Sequence, residues 1–416
     1  KKKLMKIGII GSGIAGLTLA HYLNKSHDIL LFEKNDRLGG HTHTHKINNQ
    51  NNSINVDSGF IVFNKQTYPN FLNLINELKI PYQKSEMSFS VRSKINGLEY
   101  GGTDLKTLFS QKKNLLNLKF WLLLYEIVKF NKLAKKEVVT SNKNNLTIGQ
   151  FVKQYNFSKY FLSNYLLPMS SAIWSSSYEE IKSFSFDFFV KFLSNHGMIN
   201  INDRPQWYTI KNGSFSYVEK LINPFKSKII LNSKIQKVFR QGTKSIIETE
   251  DKRHEFDYVF LACHANEALE LLAKPTKLQQ AVLSEFDYSS NDTYLHSDIS
   301  VMPKSKVAWS SWNYVIKDEK QKNATVTYNM NILQKISSKF NFLVSLNIPD
   351  EIDERKVIKK IKYHHPIFNL STYSAQKKHN KICLDGIGFA GAYWGNGFHE
   401  DGVLSALNAI KYSGIN

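Results

Sequence analysis

The stretch Met5–Leu23, MKIGIIGSGIAGLTLAHYL, decides the fold of this chain. A short apolar run enters the glycine turn GSGIAG at 11–16, and apolar residues then recur at helical spacing. This order predicts a strand, a tight turn and a helix whose N-terminus binds the diphosphate of a dinucleotide. Gly11 permits the turn, Gly13 lets the phosphates approach the backbone, and Gly16 lets the helix pack on the strand.

A second apolar run, at 29–32, ends in Glu33, which lies 33 − 11 = 22 residues after the first glycine. An acid at this distance suits hydrogen bonds to the ribose hydroxyls. Its charge would repel a 2′-phosphate, so an unphosphorylated adenosine ribose is favoured. A glycine-rich turn without a ligand is the alternative, but strand, helix and acid together favour the dinucleotide site.

Composition limits the class of protein. The 416 residues are enough for two or three lobes, and a hydrophobic content of 42% is typical of a folded chain. We expect no cleavable signal, because the first apolar segment belongs to the glycine motif, and no apolar run reaches the ~18 residues of a membrane span. Cys263 and Cys383 are the only cysteines, which indicates a reducing cytoplasm and predicts no disulfide framework.

The net charge of +20 has two explanations. It could attract the chain to an anionic surface, or it could reflect AT-rich coding, since Lys, Asn and Ile are abundant. No nucleic-acid-binding module is present, so the peripheral surface of an inner membrane is the better functional partner. The apolar segment 114–136, flanked by lysines, predicts either a membrane-facing helix or a buried helix over the substrate lobe. We favour burial, and both hold if the helix borders a tunnel that opens at the bilayer.

A second glycine motif follows Glu33 in the segment 34–42, KNDRLGGHT. The pair Gly39-Gly40 allows another close backbone approach to a cofactor, and Arg37 can pair with a phosphate. This segment resembles the flavoproteins of the amine-oxidase and phytoene-desaturase superfamily, whose pattern is glutamate, spacer, arginine, any residue and two glycines. The resemblance implies FAD rather than NAD. The histidines at 41, 43 and 45 alternate as on one strand face, and we predict no metal site.

The resemblance implies FAD contacts at both ends of the chain. The superfamily has an Asp-x-Gly turn near the flavin, here at 57–59, and an apolar residue against the adenine, here Val238. A closing strand and turn at 388–392 lead into a last helix, although Ala392 stands where the family often has an acid. The implied FAD-binding residues are Gly11, Gly13, Ile14, Ala15, Gly16, Glu33, Lys34, Arg37, Gly39, Gly40, His41, Thr42, Gly59, Val238, Gly391, Asp401, Gly402 and Val403.

The resemblance also implies an α/β fold of the amine-oxidase type. A Rossmann-like FAD-binding domain would accompany a substrate domain of mixed sheet and helices. The FAD-binding domain is assigned to residues 1–90, 210–270 and 380–416, and the substrate domain to 91–209 and 271–379. Further strand-like runs lie at 295–301, 307–312, 324–330, 342–346 and 382–384.

Segments such as CHANEAL at 263–269 and AYWGNGFHEDG at 392–402 resemble one subgroup of this superfamily. It consists of cytoplasmic bacterial FAD-binding proteins associated with lipid modification, some of them methylated-fatty-acid desaturases of furan fatty acid synthesis. The resemblance implies desaturation of a methylated fatty acyl chain, carried on a phospholipid, by hydride transfer to flavin N5. His399, Glu400 and Tyr393 are the predicted catalytic residues, from motif position. Other acid or base candidates are His296, Asp298, Tyr328, His364 and His365.

Three other functions stay open. A flavin-dependent amine oxidase would need a compact aromatic cage, and a chain of charge +20 suits a cationic substrate poorly. A fatty-acid double-bond isomerase would consume no electron acceptor. A non-enzymatic flavoprotein sensor on a membrane would bind FAD and turn over no lipid.

Overall fold

The computed structural model describes residues 4–49, 52–140, 146–199, 204–319 and 322–415. The strands are β1 (Lys6–Ile10), β2 (Asp28–Phe32), β3 (Thr44–Asn49), β4 (Asn52–Asp57), β5 (Val62–Asn64), β6 (Tyr82–Ser85), β7 (Phe89–Ser93), β8 (Glu99–Gly101), β9 (Trp207–Ile210), β10 (Ile229–Ile230), β11 (Ile235–Gln241), β12 (Lys244–Thr249), β13 (Arg253–Phe256), β14 (Tyr258–Leu261), β15 (Tyr288–His296), β16 (Trp312–Ile316), β17 (Val326–Asn329), β18 (Leu343–Leu346), β19 (Val357–Pro366) and β20 (Ile387–Phe389). The helices are α1 (Ile14–Leu23), α2 (Pro69–Glu77), α3 (Leu105–Leu108), α4 (Leu118–Thr140), α5 (Ile148–Gln154), α6 (Lys159–Phe161), α7 (Leu167–Trp174), α8 (Tyr178–Ser183), α9 (Phe186–Asn195), α10 (Phe215–Ile222), α11 (Ala265–Leu271), α12 (Lys277–Leu283), α13 (Met330–Leu333), α14 (Leu370–Gln376), α15 (His379–Ile382) and α16 (His399–Ser413).

A parallel five-stranded sheet in the order β10-β2-β1-β14-β20 carries the glycine turn. Its central strand is apolar on both faces, with Ile7 and Ile9 buried on one face and Ile10 buried on the other, as expected where both sides of the sheet are covered. Helix α1 follows the turn, and its residues Leu17 and Leu19 are fully buried. The strand, turn and helix predicted from the opening motif are therefore confirmed.

A second sheet of seven strands, in the order β19-β15-β18-β17-β16-β7-β8, forms the other half. Its pairs are antiparallel except β16 and β7, which run parallel, so the sheet is mixed. Helices α4 to α9 pack near it around an aromatic core. The prediction of an α/β fold with a mixed sheet and helices is confirmed. Fully buried rings of this core include Phe120, Phe130, Phe161, Phe184 and Phe189.

Some strand predictions in the second half are wrong. The run at 295–301 is the end of β15 followed by a 3-10 turn, because the Asp298 carboxylate accepts a hydrogen bond from the Ser300 N–H, 3.2 Å away, and caps that turn. The run at 307–312 starts with another 3-10 turn, and β16 begins only at its last residue. Ile382 ends helix α15, so the closing strand is β20 instead.

The apolar segment 114–136 is helical in two pieces. A 3-10 turn, Lys112–Leu116, is separated from α4 by Asn117, whose side-chain oxygen accepts from the Lys119 N–H at 3.1 Å. One face of α4 is buried and the other is exposed, so burial explains only half of its apolar residues.

Within the described ranges, no helix is both long enough and apolar enough to cross a bilayer.

Candidate functional site

The glycine turn lies at the carboxyl end of β1 and opens into a large cavity. Gly11 has φ of +99°, and a Cβ there would lie 2.7 Å from the Ala262 carbonyl oxygen. A Cβ on Gly16 would lie 1.8 Å from the Gly11 carbonyl oxygen, so the helix presses directly on the turn. A Cβ on Gly13, by contrast, would meet nothing within 4 Å, which leaves its backbone accessible from the cavity. Since no side chain caps α1, its first N–H groups can receive an anion.

Glu33 is held at the same end of the cavity. Its Oε2 accepts hydrogen bonds from the Ser12 N–H at 3.0 Å and the Ser12 hydroxyl at 2.6 Å. Its Oε1 accepts from the Asn35 N–H at 2.9 Å and from the Asn35 amide at 2.7 Å. These contacts fix a buried carboxylate beside the glycine turn. Because a carboxylate accepts about four hydrogen bonds, a ribose hydroxyl would replace one of the two side-chain donors, the Ser12 hydroxyl or the Asn35 amide.

The second glycine pair packs against the first motif. Gly39 and Gly40 have φ of +102° and +57°, values that side chains disfavour. A Cβ on Gly40 would lie 3.0 Å from the Gly13 Cα, and the Gly39 N–H donates to the Ser12 carbonyl at 3.0 Å. Gly39 lies 39 − 11 = 28 residues after Gly11, so two motifs that are distant along the chain form one cradle.

Two buried nitrogens in this cradle lack a partner, and both can donate a hydrogen bond when His41 carries its proton on Nε2. Arg37 Nη1 and His41 Nε2 are both inaccessible to solvent and make no hydrogen bond, and both residues line the cavity. Burial, together with the nearby Arg37 charge and other histidines, lowers the pKa of His41 well below its usual value. An unpaired buried donor costs about 1–3 kcal/mol, so these atoms call for an anionic acceptor. The diphosphate of FAD fits them, and FAD fits the cradle.

His365 adds a third donor, and its tautomer follows from a chain of amides. Asn347 accepts from the Asp292 N–H at 2.9 Å, so its amide nitrogen donates to Asn291 Oδ1 at 2.7 Å. Asn291 must then present its amide nitrogen to His365 Nδ1, 3.1 Å away. Burial lowers the pKa of His365 to about 4, so the ring is neutral and its proton sits on Nε2. His365 lines the cavity 5.2 Å from the His41 ring.

His399, the first residue of α16, lies in the wall of the cavity. Its ring stacks on Phe60 at 3.6 Å, and its Nε2 lies 2.9 Å from the Thr42 hydroxyl and 3.0 Å from the Tyr217 hydroxyl. Burial lowers the pKa of His399 to about 3, so the ring is neutral. Because two hydroxyls already occupy Nε2, that atom is not free to accept a substrate proton, and the catalytic assignment of His399 stays a prediction.

The side chains of Glu400 and Asp401 do not face the cavity. Glu400 caps helix α2, since its carboxylate accepts from the Asn70 and Phe71 N–H groups at 3.1 and 2.9 Å. Asp401 accepts from the Phe398 N–H at 2.9 Å, and burial raises its pKa to about 7. Neither carboxylate lines the cavity. We therefore correct the catalytic prediction for Glu400 and the FAD-contact prediction for Asp401: both stabilise the start of a helix.

The adenine contact predicted at Val238 also needs correction. Val238 is fully buried in the core behind the sheet, whereas Ile235, three residues earlier, lines the cavity. A register irregularity between Ile235 and Lys237 places these side chains, and single-sequence alternation does not reveal such an irregularity.

Most of the predicted site residues line one cavity, and some of the rest pack directly against its lining. Gly402 is an example, because a Cβ there would lie 2.5 Å from the Ile14 side chain. The predicted residues that line the cavity are Gly11, Gly13, Ile14, Ala15, Glu33, Lys34, Arg37, Gly40, His41, Gly59, Gly391, Tyr393 and His399. Those that do not line it are Gly16, Gly39, Thr42, Val238, Glu400, Asp401, Gly402 and Val403.

The cavity extends beyond the cradle into the second half of the molecule. Its volume of about 1460 Å³ exceeds the roughly 300–1,000 Å³ of a single-ligand pocket, so it has room for a second compound. The Nε1 atoms of Trp174 and Trp312 are buried there without a partner. We call this part the substrate compartment. Its apolar lining includes Tyr100, Tyr165, Met169, Ile173, Trp174, Phe192, Trp207, Trp312, Tyr328 and Phe368.

The acid and base candidates divide between these regions. Tyr328, His364 and His365 line the cavity, whereas His296 does not and instead contacts the Ser345 hydroxyl at 2.7 Å. Asp298 pairs with Lys356 at 3.0 Å, away from the cavity. Among the described residues, no cluster of histidine, cysteine and acidic side chains is suited to a metal ion. Sequence reasoning missed Ile235 and Asn291, since neither carries a motif.

Comparison with known proteins agrees with this geometry. A family model described as flavin containing amine oxidoreductase matches residues 14–295. A flavin-dependent L-tryptophan oxidase, RebO of Lentzea aerocolonigenes, is 48% identical over 42 residues, which are 10% of this chain and 9% of that protein. Because the match spans so little of that relative, it bears on a local segment only.

Several solved structures share the whole fold. A putative protoporphyrinogen oxidase from Exiguobacterium sp. 255-15 aligns over 99% of both chains with a TM-score of 0.69 at 15% identity. A fatty acid isomerase from P. acnes that produces CLA aligns over 98% of both chains, with a TM-score of 0.69 at 14% identity. Cyclohexylamine oxidase from Brevibacterium oxydans IH-35A aligns over 99% of both, with a TM-score of 0.68 at 14% identity. At these identities the likeness establishes the fold alone.

Proposed function

Because this chain belongs to the flavin-containing amine oxidoreductase family, we propose that it uses FAD to desaturate a fatty acyl chain. The substrate we propose is a methylated acyl chain carried on a phospholipid, oxidised next to an existing double bond. The observation that carries this proposal is the substrate compartment, which is continuous with the glycine cradle and walled by aromatic and aliphatic side chains. A long apolar chain gains about 0.8 kcal/mol for each methylene that it buries there.

The residues of the cradle would hold and orient the cofactor. Glu33 would accept hydrogen bonds from the ribose hydroxyls, while Ile235 lies in the wall of the cavity for the adenine. Arg37 Nη1, His41 Nε2 and His365 would donate to the diphosphate and its neighbouring groups. Bound FAD would supply the two-electron acceptor, and the protein would supply alignment and a dry site.

The residues of the compartment would place the acyl chain and exclude water. Trp174 and Phe192 pack with ring centroids 4.7 Å apart, which forms one continuous apolar wall. Tyr393 lines the cavity with a buried hydroxyl that has no partner, and burial raises its pKa well above the usual value. Tyr393 therefore keeps its proton at neutral pH and can donate a hydrogen bond, but it cannot act as the base.

The proposal is tested by anaerobic incubation of the FAD-loaded protein with total bacterial lipid. We expect the flavin absorbance to bleach and mass analysis to show an acyl chain that has lost two hydrogens. Bleaching with an amine instead of lipid would favour an amine oxidase. A moved double bond without bleaching would favour the isomerase, and a coloured protein that changes no lipid would favour the sensor.

A further inference from the structure

An exposed apolar patch covers one side of the half of the molecule that contains the seven-stranded sheet and the substrate compartment. In α4, Leu118, Trp121, Leu122, Tyr125 and Val128 recur at helical spacing, and all are exposed. The opposite face of the same helix is buried in the aromatic core. A helix at a water-facing surface has one apolar face, so a second apolar face needs a partner. The patch also includes Leu105, Leu115 and Leu116, of which Leu116 is 91% exposed.

Basic side chains surround this patch. Between residues 105 and 136 the sequence has eight lysines and a single acid, Glu126. That acid is buried and accepts from the Ser158 N–H at 2.7 Å, so it does not offset the surface charge. A surface that is apolar at its centre and cationic around it complements an anionic lipid interface. The exposed lysines are Lys106, Lys112, Lys113, Lys119, Lys132, Lys135 and Lys136.

The substrate compartment reaches the molecular surface beside the patch. Tyr100 and Gly102 both line the cavity, and Gly102 is exposed three residues before Leu105. The Tyr100 ring lies 5.7 Å from Phe120, the inward neighbour of Trp121 on α4. Phe109 bridges the two faces, since its ring lies 5.7 Å from Phe120 and 5.5 Å from Trp121.

We propose that this patch docks the protein on an anionic membrane surface, with Leu116 and Leu118 inserted among the acyl chains and the opening at Gly102 facing the lipid. The docking concerns surface residues only and does not depend on the reaction proposed above. A second copy of this chain is the competing partner, but the lysines around the patch would repel one another across a symmetric dimer interface.

Flotation of the FAD-loaded protein with vesicles of equimolar phosphatidylglycerol and phosphatidylcholine tests the docking. We expect the wild type to float, and to float less as salt increases or when phosphatidylglycerol is left out. Leu116→Asp with Leu118→Asp should weaken binding roughly hundredfold, since each leucine loses its transfer into lipid. Lys112→Glu with Lys119→Glu should weaken it about thirtyfold at low salt.

Matched control variants carry the same types of substitution at exposed positions outside the patch. Phe340→Asp with Leu384→Asp alters two side chains that are each 55% exposed, and Lys274→Glu with Lys339→Glu makes the same change in net charge. Both controls should float as the wild type does. The proposal is overturned if the patch variants float equally well, or if neither salt nor lipid charge matters. A wild-type dimer that Leu116→Asp dissociates, without flotation, would assign the patch to a second copy.

Discussion

The two ends of the cavity are built differently. At the cradle, backbone touches backbone: a Cβ on Gly16 or Gly40 would lie 1.8 or 3.0 Å from another main-chain atom. In the substrate compartment, side chains face one another, and rings such as Trp174 and Phe192 form the wall. Backbone contacts admit one residue type, whereas side-chain contacts admit several of similar volume. The cradle should therefore tolerate almost no substitution, and the compartment should tolerate many.

Acid should have the largest effect. Burial lowers the pKa of seven histidines to about 3 or 4, so the unfolded chain binds more protons than the native one below pH of about 6.5. Stability should then fall as the pH drops from about 6.5 to about 4, by about 1.4 kcal/mol per pH unit for each fully buried group that stays neutral and by less for His43 and His45, which are only partly buried. Those of the seven that line the cavity are His196, His365 and His399, and the others are His43, His45, His296 and His379.

Two acids oppose this trend. Burial raises the pKa of Asp57 to about 6 and of Asp401 to about 7, so each favours the native state as the pH falls. Because seven histidines disfavour the native state at low pH and only two acids favour it, the free energy of unfolding should decrease on acidification. Urea unfolding across this pH range measures it, with flavin fluorescence reporting the cradle. Stability that stays level or rises toward pH ~4 would contradict the assignment of neutral buried histidines.

Gly11→Ala should abolish flavin binding, with affinity reduced by more than about hundredfold. The new methyl would clash with the Ala262 carbonyl oxygen in a backbone conformation that alanine disfavours. Gly242→Ala is the matched control, because Gly242 also has positive φ, +58°, but meets nothing within 4 Å. Flavin titration of the purified apoproteins compares the two, and equal affinities would mean that the turn does not hold the cofactor.

Arg37→Met should weaken flavin binding by roughly ten- to hundredfold, as expected for the loss of a hydrogen bond between charged groups, about 1.5–3 kcal/mol. Methionine keeps much of the side-chain volume, so the fold should be unchanged. Arg355→Met, at an exposed surface arginine, serves as the control. The measurement is again flavin titration, and an unaltered affinity would place the diphosphate away from Arg37.

Ile173→Ala should have the smallest effect, confined to the substrate. Ile173 lines the compartment, and each methylene removed from the contact should change kcat/KM by about fourfold. Flavin content should not change. Ile358→Ala removes the same atoms from a surface strand and should alter neither quantity. A drop in flavin content with Ile173→Ala would show that the two ends are not independent.

The sequence predicted the cradle better than the rest because its signals are local. The turn at 11–16 and the pair Gly39-Gly40 each satisfy a steric condition set by near neighbours. The catalytic prediction for Glu400 could not foresee its real partners, because Asn70 and Phe71 are about 330 residues away along the chain. The prediction of burial for the helix at 114–136 is right for one face only. Periodicity shows which residues are apolar, but it does not show which face other segments cover.

By itself, the sequence determined the strand, the turn, the helix and the acid at Glu33, because each depends on residues that are close along the chain. Only the tertiary structure decided that Ile235 rather than Val238 reaches the cavity and that His365 holds its proton on Nε2. It also decided that an apolar helix keeps one face uncovered. These facts depend on strand register, on a hydrogen-bond chain that joins Asn347, just after β18, to Asn291 and His365, and on packing between distant segments, none of which a local pattern contains.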